Sequence, residues 1–452
     1  MLIIQDSGFD AYWNNLSKRE NDLKTEETVK EIIEDVRRNR DDAVKKYASQ
    51  FDKSSPRRLE VPVTEAERAL DELRENDPAL TESLELAACN IMRFSVKQRE
   101  QFADFEYEPE KGIVTGQRVI PVRRAAIYVP AGRFPLVSSC LMAVIPAITS
   151  GVEEVLFTSP PMEDGIPDRK ILAAAAIAAK ACGINPEENA HNKRLRFFAA
   201  GGAQAIAAFA FGTQSIPRAD VIAGPGNKYI ITAKRLLYGQ VGLDFLAGPS
   251  DILVISDGKD AENSADIIAA DMIAQAEHDP DARARALVPC GKLADCVSEA
   301  IERRLTSLST ASTARASLES GGLIVVYKSK DEAVRIANEI APEHLELQIE
   351  DADSWIPLLK NYGSLFIGSL SAEVLGDYSA GVNHTLPTES SARFTGGLGV
   401  RHFLKTVTTL RCSSGEGFEK TRSAAEIIGR AEGLEGHAQS AMMRGAAYRS
   451  GN

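Results

Sequence analysis

From Arg124 onward the chain alternates between short runs rich in β-branched and aromatic residues and helical stretches built from small ones. The runs are Ala126-Ile-Tyr-Val129, Val155-Leu-Phe-Thr158, Leu195-Arg-Phe-Phe198 and Asp220-Val-Ile222. Between them lie Cys140-Leu-Met-Ala-Val-Ile145, Ile171-Leu-Ala-Ala-Ala-Ala176 and Ala203-Gln-Ala-Ile-Ala-Ala-Phe-Ala210. Strand-sized apolar runs separated by helix-sized segments predict βαβ units and a mostly parallel sheet. The pattern resumes with Ile252-Leu-Val-Ile255, Ala286-Leu-Val288, Leu323-Ile-Val-Val326 and Ser364-Leu-Phe-Ile367. A chain of 452 residues exceeds one ordinary core, so two α/β domains fit better than one very large sheet.

The remainder frames this repeat. Val29, Ile32, Ile33 and Val36 follow the i, i+3, i+4, i+7 spacing of a helix. Thr64-Glu-Ala-Glu67 has the form of a capping box. The polar stretch from Asn185 to Lys193 reads as a loop in which His191 is solvated, and the tail after Lys405 reads as helical. A formal charge of −12 argues against nucleic acid, which needs a basic face. No apolar run approaches the roughly 20 residues of a membrane span. The opening Met-Leu-Ile-Ile-Gln-Asp lacks the basic and apolar regions of a secretory signal. Cys89, Cys140, Cys182, Cys290, Cys296 and Cys412 are dispersed without a CxxC pair, which suits free thiols in a reducing compartment. A cytoplasmic location is the expectation.

Two kinds of pattern carry chemistry. Val129-Pro-Ala-Gly-Arg133, Ala200-Gly-Gly-Ala-Gln204 and Ala223-Gly-Pro-Gly-Asn227 each follow a predicted strand, where backbone N–H groups approach phosphates or anionic cofactors. None is GxGxxG with an acid about twenty residues on, so the ordinary dinucleotide fingerprint is absent. Three such turns at successive strand ends favour a ligand crevice over three unrelated tight turns. In Asp271-Met-Ile-Ala-Gln-Ala-Glu-His-Asp-Pro280, Gln275 and His278 are three apart and expected on one helix face before Asp279-Pro280 stops the helix. An amide oxygen and an imidazole there form half of a site for a borderline metal, although a capped helix with a surface histidine fits the same spacing. His344 follows Glu343 directly, placing two potential general bases together. His384 and His437 fall in polar settings, with Asp377 seven residues before His384.

The blocks Ile127-Tyr-Val-Pro-Ala-Gly132, Gly201-Gly-Ala-Gln-Ala-Ile206, Gly224-Pro-Gly-Asn227, Ala247-Gly-Pro-Ser250, Gln275-Ala-Glu-His278, Pro342-Glu-His-Leu345, Gly376-Asp-Tyr378 and Asn383-His-Thr-Leu-Pro387 occur in one order along the chain. Together they closely resemble the histidinol dehydrogenase family, from about residue 25 to about 445. The resemblance implies a zinc ion held by Gln275, His278, Asp377 and His437, and a catalytic pair, Glu343 and His344. Substrate contacts would come from Ser250, His384 and Glu432 besides Gln275, His278, His344, Asp377 and His437; NAD contacts would come from Tyr128, Gln204 and Asn227. It implies oxidation of L-histidinol through the aldehyde to L-histidine with two NAD, in histidine biosynthesis.

The fold expected is α/β, two Rossmann-like parallel-sheet domains with one inserted in the other, and small helical N- and C-terminal segments. The boundaries expected are an arm at 1–28, a discontinuous domain at 29–127 and 252–395 carrying most of the zinc and catalytic residues, an NAD-binding insertion at 128–251, and a helical segment at 396–452. That last segment would reach the partner's site in an intertwined homodimer. Glu432 and His437, five apart, would not share a face of a straight helix, but Gly433 and Gly436 can bend or end it. His402 matches no motif and is expected at the surface.

Departures from the family pattern bear on the substrate. The turn after Tyr128 lacks the usual Pro-Gly-Gly, the Asn185–Lys193 loop is long, and Asp251 stands where glutamate is commoner. Ala392-Arg-Phe-Thr-Gly-Gly-Leu398 and Phe403-Leu-Lys-Thr-Val407 resemble relatives acting on other alcohols, including a sulfonated propanediol. The retained Tyr378, His384 and Glu432 favour histidinol. A zinc-binding scaffold without turnover is the reading from another class, and the presence of both Glu343 and His344 argues against it.

Overall fold

The computed structural model describes residues 2–16, 23–52, 54–131, 135–185, 193–246, 248–259 and 261–449. His191 and the glycine turn at Gly132 and Arg133 lie outside the described residues. The strands in chain order are β1 (Leu2–Gln5), β2 (Glu60–Val61), β3 (Phe105–Glu110), β4 (Ile113–Pro121), β5 (Arg124–Tyr128), β6 (Glu154–Ser159), β7 (Leu195–Ala199) and β8 (Val221–Ala223). They continue with β9 (Gly242–Leu243), β10 (Asp251–Ser256), β11 (Arg283–Val288), β12 (Leu323–Val326), β13 (His344–Gln348), β14 (Ser364–Ile367) and β15 (Leu404–Cys412). The chain divides into two compact units, Met1–Lys97 with Val122–Phe403, and Gln98–Pro121 with Leu404–Asn452.

The first unit holds two six-stranded sheets, and the alternation in the sequence accounts for both. One runs β1-β12-β11-β10-β13-β14, all parallel. The other runs β2-β7-β6-β5-β8-β9, parallel except for β2 at its edge. Successive side chains of a strand point to opposite faces, and each sheet is buried on both. Ala125 and Ile127 of β5 enter one core with the helices Val63–Asn76, Pro78–Glu100, Val137–Ser150 and Arg169–Ala181. Ala126 and Tyr128 enter another with Leu23–Phe51, Gly202–Phe211 and Lys228–Leu237. Residues 23–100 thus pack on this second sheet rather than on the first. In the first sheet Ile252 and Val254 face one layer and Leu253 and Ile255 the other. Each fully buried Ile, Leu or Val contributes roughly 1.5–3 kcal/mol, and the small residues Ala173 to Ala176 let their helix lie close to the strands.

Two local expectations changed. The helix at 63 begins two residues earlier than a capping box at Thr64 requires: Pro62 takes the cap position and no side-chain cap bond forms. The tail is not helical throughout. Leu404–Cys412 pairs antiparallel along its whole length with β4, which pairs in turn with β3, making a three-stranded sheet in the second unit. Thr406, Val407, Thr408 and Thr409 are β-branched, the composition that suits a pleated surface. The helices Glu416–Ala431 and Glu435–Arg449 follow and pack together.

Candidate active site

Of the ionisable residues singled out in the sequence, Glu343, His344 and Asp377 come together at the amino ends of β10 and β13. These strands are parallel neighbours, with Ile252 opposite His344, so Asp251 comes opposite Glu343. The two residues exchange bonds: the Asp251 N–H donates to Glu343 Oε2 and the Glu343 N–H donates to Asp251 Oδ1, both at 3.1 Å. Asp251 Oδ2 accepts at 2.9 Å from Nη1 of Arg285 on β11, and Trp13 covers that guanidinium at 5.4 Å. All three charged side chains are buried. The chain enters this corner from the helix Lys330–Ile340 through Ala341, whose φ of +49° turns the backbone sharply before Pro342.

His344 opens β13 and lies between two carboxylates from one short helix, Glu373–Tyr378. Glu373 and Asp377 are four apart and share a face. Nδ1 of His344 is 3.5 Å from Glu373 Oε1, and Nε2 is 3.4 Å from Asp377 Oδ1. Neither contact meets hydrogen-bond geometry, and both ring nitrogens lack a partner among the described residues. Glu346 holds the helix in place by accepting the Glu373 N–H at 2.7 Å. Glu373 carries no motif in the sequence; its i, i+4 relation to Asp377 was the available signal.

Electrostatics follow from burial. Burial pushes Glu343 up to about 8, with Asp251 and Asp377 adding to the rise and His344 opposing it. Burial alone would lower His344, but Glu373, Glu343 and Asp377 reverse this and hold it well above the usual imidazole range. Burial would raise Asp377, and the positive charge of His344, His384 and His278 outweighs it. One imidazole is therefore ready to be charged, and one carboxyl (Glu343) is balanced near neutrality.

Gln275 is buried one residue before the end of the helix Ala261–Ala276, which packs against the helix Glu373–Tyr378. The helix stops two residues short of His278, so the two side chains do not share a helix face. His278 instead sits in the following turn, exposed, its N–H donating to the Gln275 carbonyl at 3.3 Å. It is near enough for its charge to act on Asp377. Gln275 Oε1 and Asp377 Oδ1 are buried acceptors with no donor among the described residues. Orphaned oxygens of this kind are costly, and a cation satisfies them. His344, Glu373 and Asp377 offer ligand atoms all within 4.8 Å of one another. The oxygen and nitrogen donors match a borderline divalent metal.

His384 is fixed at both nitrogens, Nδ1 at 2.8 Å from the Asp377 carbonyl and Nε2 at 3.1 Å from Ser139 Oγ, and burial lowers its pKa. Ser250 immediately precedes β10, half-buried. Glu432 and His437 belong to the second unit. Glu432 caps the helix Glu416–Ala431, Gly433 breaks the chain at φ +74°, and His437 lies in the first turn of the next helix; both are exposed. His402 is not the surface residue expected: it is half-buried, pressed edge-on against Phe245 at 6.0 Å, and burial lowers its pKa.

The glycine turns lie at the opposite kind of edge, the carboxyl ends of the second sheet. Tyr128 ends β5, buried, and Gly224 runs against its carbonyl at φ +119°, where any side chain would overlap it. Asp244 Oδ2 accepts the Gly224 N–H at 2.8 Å and Lys234 Nζ donates to the Gly224 carbonyl at 2.9 Å, fixing that turn. Gln204 is buried in the first turn of Gly202–Phe211. Asn227 caps Lys228–Leu237, its Oδ1 accepting from the N–H groups of Tyr229 and Ile230. Helix N-termini aimed at one edge favour an anionic ligand.

Comparison with known proteins places the chain. The family model for histidinol dehydrogenase matches residues 16–445. A histidinol dehydrogenase of Acinetobacter baylyi is 39% identical over 98% of this chain and 99% of its own length. One from Aquifex aeolicus is 41% identical over 93% of this chain and 92% of its own. The crystal structure of histidinol dehydrogenase from Elizabethkingia anophelis superposes with a TM-score of 0.87 at 31% identity, covering 99% of this chain and 98% of that one. Among the described residues, no helix is long and apolar enough to cross a membrane.

Proposed function

The chain belongs to the histidinol dehydrogenase family, NAD-dependent oxidoreductases that take an alcohol to an acid through the aldehyde, and we propose that it oxidises L-histidinol to L-histidine at the Glu343–His344 corner. The observation that carries this reading is His344 held between Glu373 and Asp377, buried groups that each leave a polar atom without a partner among the described residues, with Glu343 beside them. NAD, bound along Tyr128, Gln204 and Asn227, supplies the hydride acceptor.

His344, acting in its neutral form, receives the hydroxyl proton as the first hydride leaves the alcohol carbon. Three carboxylates around the ring stabilise the imidazolium this creates. Glu343 then takes a proton from water, whose oxygen adds to the aldehyde carbon. Once His344 has passed the first proton to solvent, it accepts the proton of the resulting hydrate as the second hydride departs. The order requires a carboxylate that ionises near neutrality, and burial gives Glu343 that property. The same burial shields the aldehyde between steps.

Gln275, His278, Asp377 and His437 would hold zinc. When bound, it supplies a positive centre for the substrate's imidazole and amino nitrogens. The unpartnered oxygens of Gln275 and Asp377 support this assignment. His437 and Glu432 would arrive from a second copy of the chain. Their exposure supports this, as does the apolar surface beside them, where Ile427, Ile428, Leu434 and Met443 are uncovered. All six cysteines are free, in keeping with a cytoplasmic enzyme.

The test is the yield of NADH from limiting L-histidinol, with and without a zinc chelator. Two NADH per substrate, lost on chelation and restored by zinc, is the expected result. No NADH from histidinol with zinc bound would overturn the substrate assignment and direct the search to other amino alcohols and diols.

A further inference from the structure

An ordinary dinucleotide-binding unit carries an acidic residue at the carboxyl end of its second strand, where the carboxylate accepts from the ribose hydroxyls of NAD. The corresponding strand here is β6, next to β5 in the second sheet. It ends in Ser159 and continues Pro160-Pro161, with no acid at the strand end; Glu163 and Asp164 come only after Met162. A carboxylate occupies the place nonetheless, from a distant part of the chain. Asp52 follows the helix Leu23–Phe51, its N–H still bonded to the Ala48 carbonyl at 2.9 Å. A Cβ built on Gly201 would meet Asp52 Oδ1 at 2.7 Å and Pro160 Cγ at 2.8 Å, so the carboxylate, the end of β6 and the Gly201 turn meet at one point. Only a glycine at 201 lets the three approach.

The surroundings lack what a structural aspartate normally has. Among the described residues, Gln204 Nε2, at 3.5 Å from Oδ2, is its one side-chain hydrogen-bond partner, and no cationic side chain faces it. Burial pushes its pKa up to about 7. The hydroxyl of Ser159, beside Pro160, is buried with no partner among the described residues. Tyr128 and Gln204, two of the residues assigned to NAD, adjoin the same turn; the Tyr128 hydroxyl bonds the backbone of Gly202. A carboxylate with spare acceptor capacity at this strand end matches a vicinal diol, which brings two donors. It repels a phosphate on the same sugar.

We propose that Asp52 is the cofactor-specificity residue, accepting hydrogen bonds from the adenosine ribose hydroxyls of NAD and excluding the 2′-phosphate of NADP. The proposal rests on the reading that Tyr128, Gln204 and Asn227 form the NAD edge. It replaces the acid missing from the linear motif with one supplied by the fold.

Steady-state rates of the full-length protein with each cofactor, for wild type, Asp52→Asn and Asp52→Glu, test it. In Asp52→Asn, kcat/KM with NAD falls about tenfold through KM, kcat/KM with NADP rises, and the preference for NAD drops at least about thirtyfold. Asp52→Glu keeps the charge and so keeps most of the discrimination against NADP. Equal losses with both cofactors, or an unchanged ratio, would overturn the proposal and leave Asp52 a packing residue. Calorimetric titration of each protein with NAD and NADP reads binding without the alcohol. Wild type binding neither cofactor sinks the cofactor edge and the proposal together. Wild type preferring NAD, with Asp52→Asn preferring it as strongly, sinks the role of Asp52 alone.

Discussion

On the proposed reading the two mostly parallel sheets turn opposite edges to chemistry, and the edges differ in sign. In a parallel sheet with covering helices, strand carboxyl ends lie beside helix N-termini and strand amino ends beside helix C-termini. The second sheet uses its carboxyl edge, with the helices Gly202–Phe211 and Lys228–Leu237 starting there, an environment for an anionic dinucleotide. The first sheet would use its amino edge, where the helix Ala261–Ala276 ends just past Gln275 and His278 follows in the turn, an environment for a cation. Open α/β sheets normally bind ligands at carboxyl ends. The amino edge departs from that rule by concentrating buried carboxylates and an imidazole. The glycine edge is made of backbone, with glycine required at 201 and 224; the ionisable edge is made of buried side chains whose every partner matters.

The sharpest way to break this contrast is at Glu343. Glu343→Gln keeps the size of the side chain and removes the base. Aldehyde oxidation is expected to fall about 10³-fold, within the range for general-base catalysis, while alcohol oxidation falls less than about tenfold. Separate assay of the two half-reactions decides it, and equal losses sink the assignment. In the unsubstituted protein the base must be ionised, and its pKa is pushed up to about 8. Aldehyde oxidation should therefore decline as pH falls below about 8, a limb absent from Glu343→Gln.

A smaller effect lies one strand away. Asp251→Asn leaves the Arg285 guanidinium buried without its counter-charge, a loss of about 3 kcal/mol in denaturant unfolding. Combining it with Arg285→Met should recover most of that stability, because no buried charge is then left unpaired. The Asp251 charge also raises the pKa of Glu343. Its removal in the double variant should shift the acid limb of aldehyde oxidation to lower pH. A limb that stays in place would mean that Asp251 only packs.

How far the sequence disclosed these edges depends on the range of the signal. The parallel sheets were legible because β-rich runs such as Val155–Thr158 and Ile252–Ile255 are local patterns with one folded solution. The β15 strand was not, since Leu404–Cys412 acquires its partner in β4 only through a contact nearly three hundred residues away. Gln275 and His278 were legible as neighbours, but their spacing suggested a shared helix face that the stop at Ala276 removes. Glu343 and His344 were visible as a dipeptide, whereas Glu373 offered only its spacing from Asp377, Asp251 showed only as a departure from the family pattern, and Arg285 was silent. Burial turns ordinary charged residues into the frame of a site, and nothing in a one-dimensional pattern marks which Glu will be enclosed. The family resemblance carried the residue roles; residue spacing alone left several readings open.

The smallest expected effect probes the glycine edge. Asn227 is assigned to the cofactor, yet its side-chain oxygen already caps the helix Lys228–Leu237 at 3.0 and 3.3 Å. Asn227→Asp preserves that acceptor and adds a negative charge that suits a helix N-terminus, so thermal stability should hold or rise slightly. It also replaces an amide NH₂ donor with a carboxylate oxygen facing an anionic ligand. The KM for NAD should then rise about tenfold, equivalent to about 1.4 kcal/mol, with kcat little changed. If KM is unchanged and stability holds, Asn227 is a cap and no more, and the cofactor edge narrows to Tyr128 and Gln204. If both deteriorate, the cap itself shapes the edge. The backbone-built edge would then be as intolerant of change as the ionisable one, and the contrast between the two would fail.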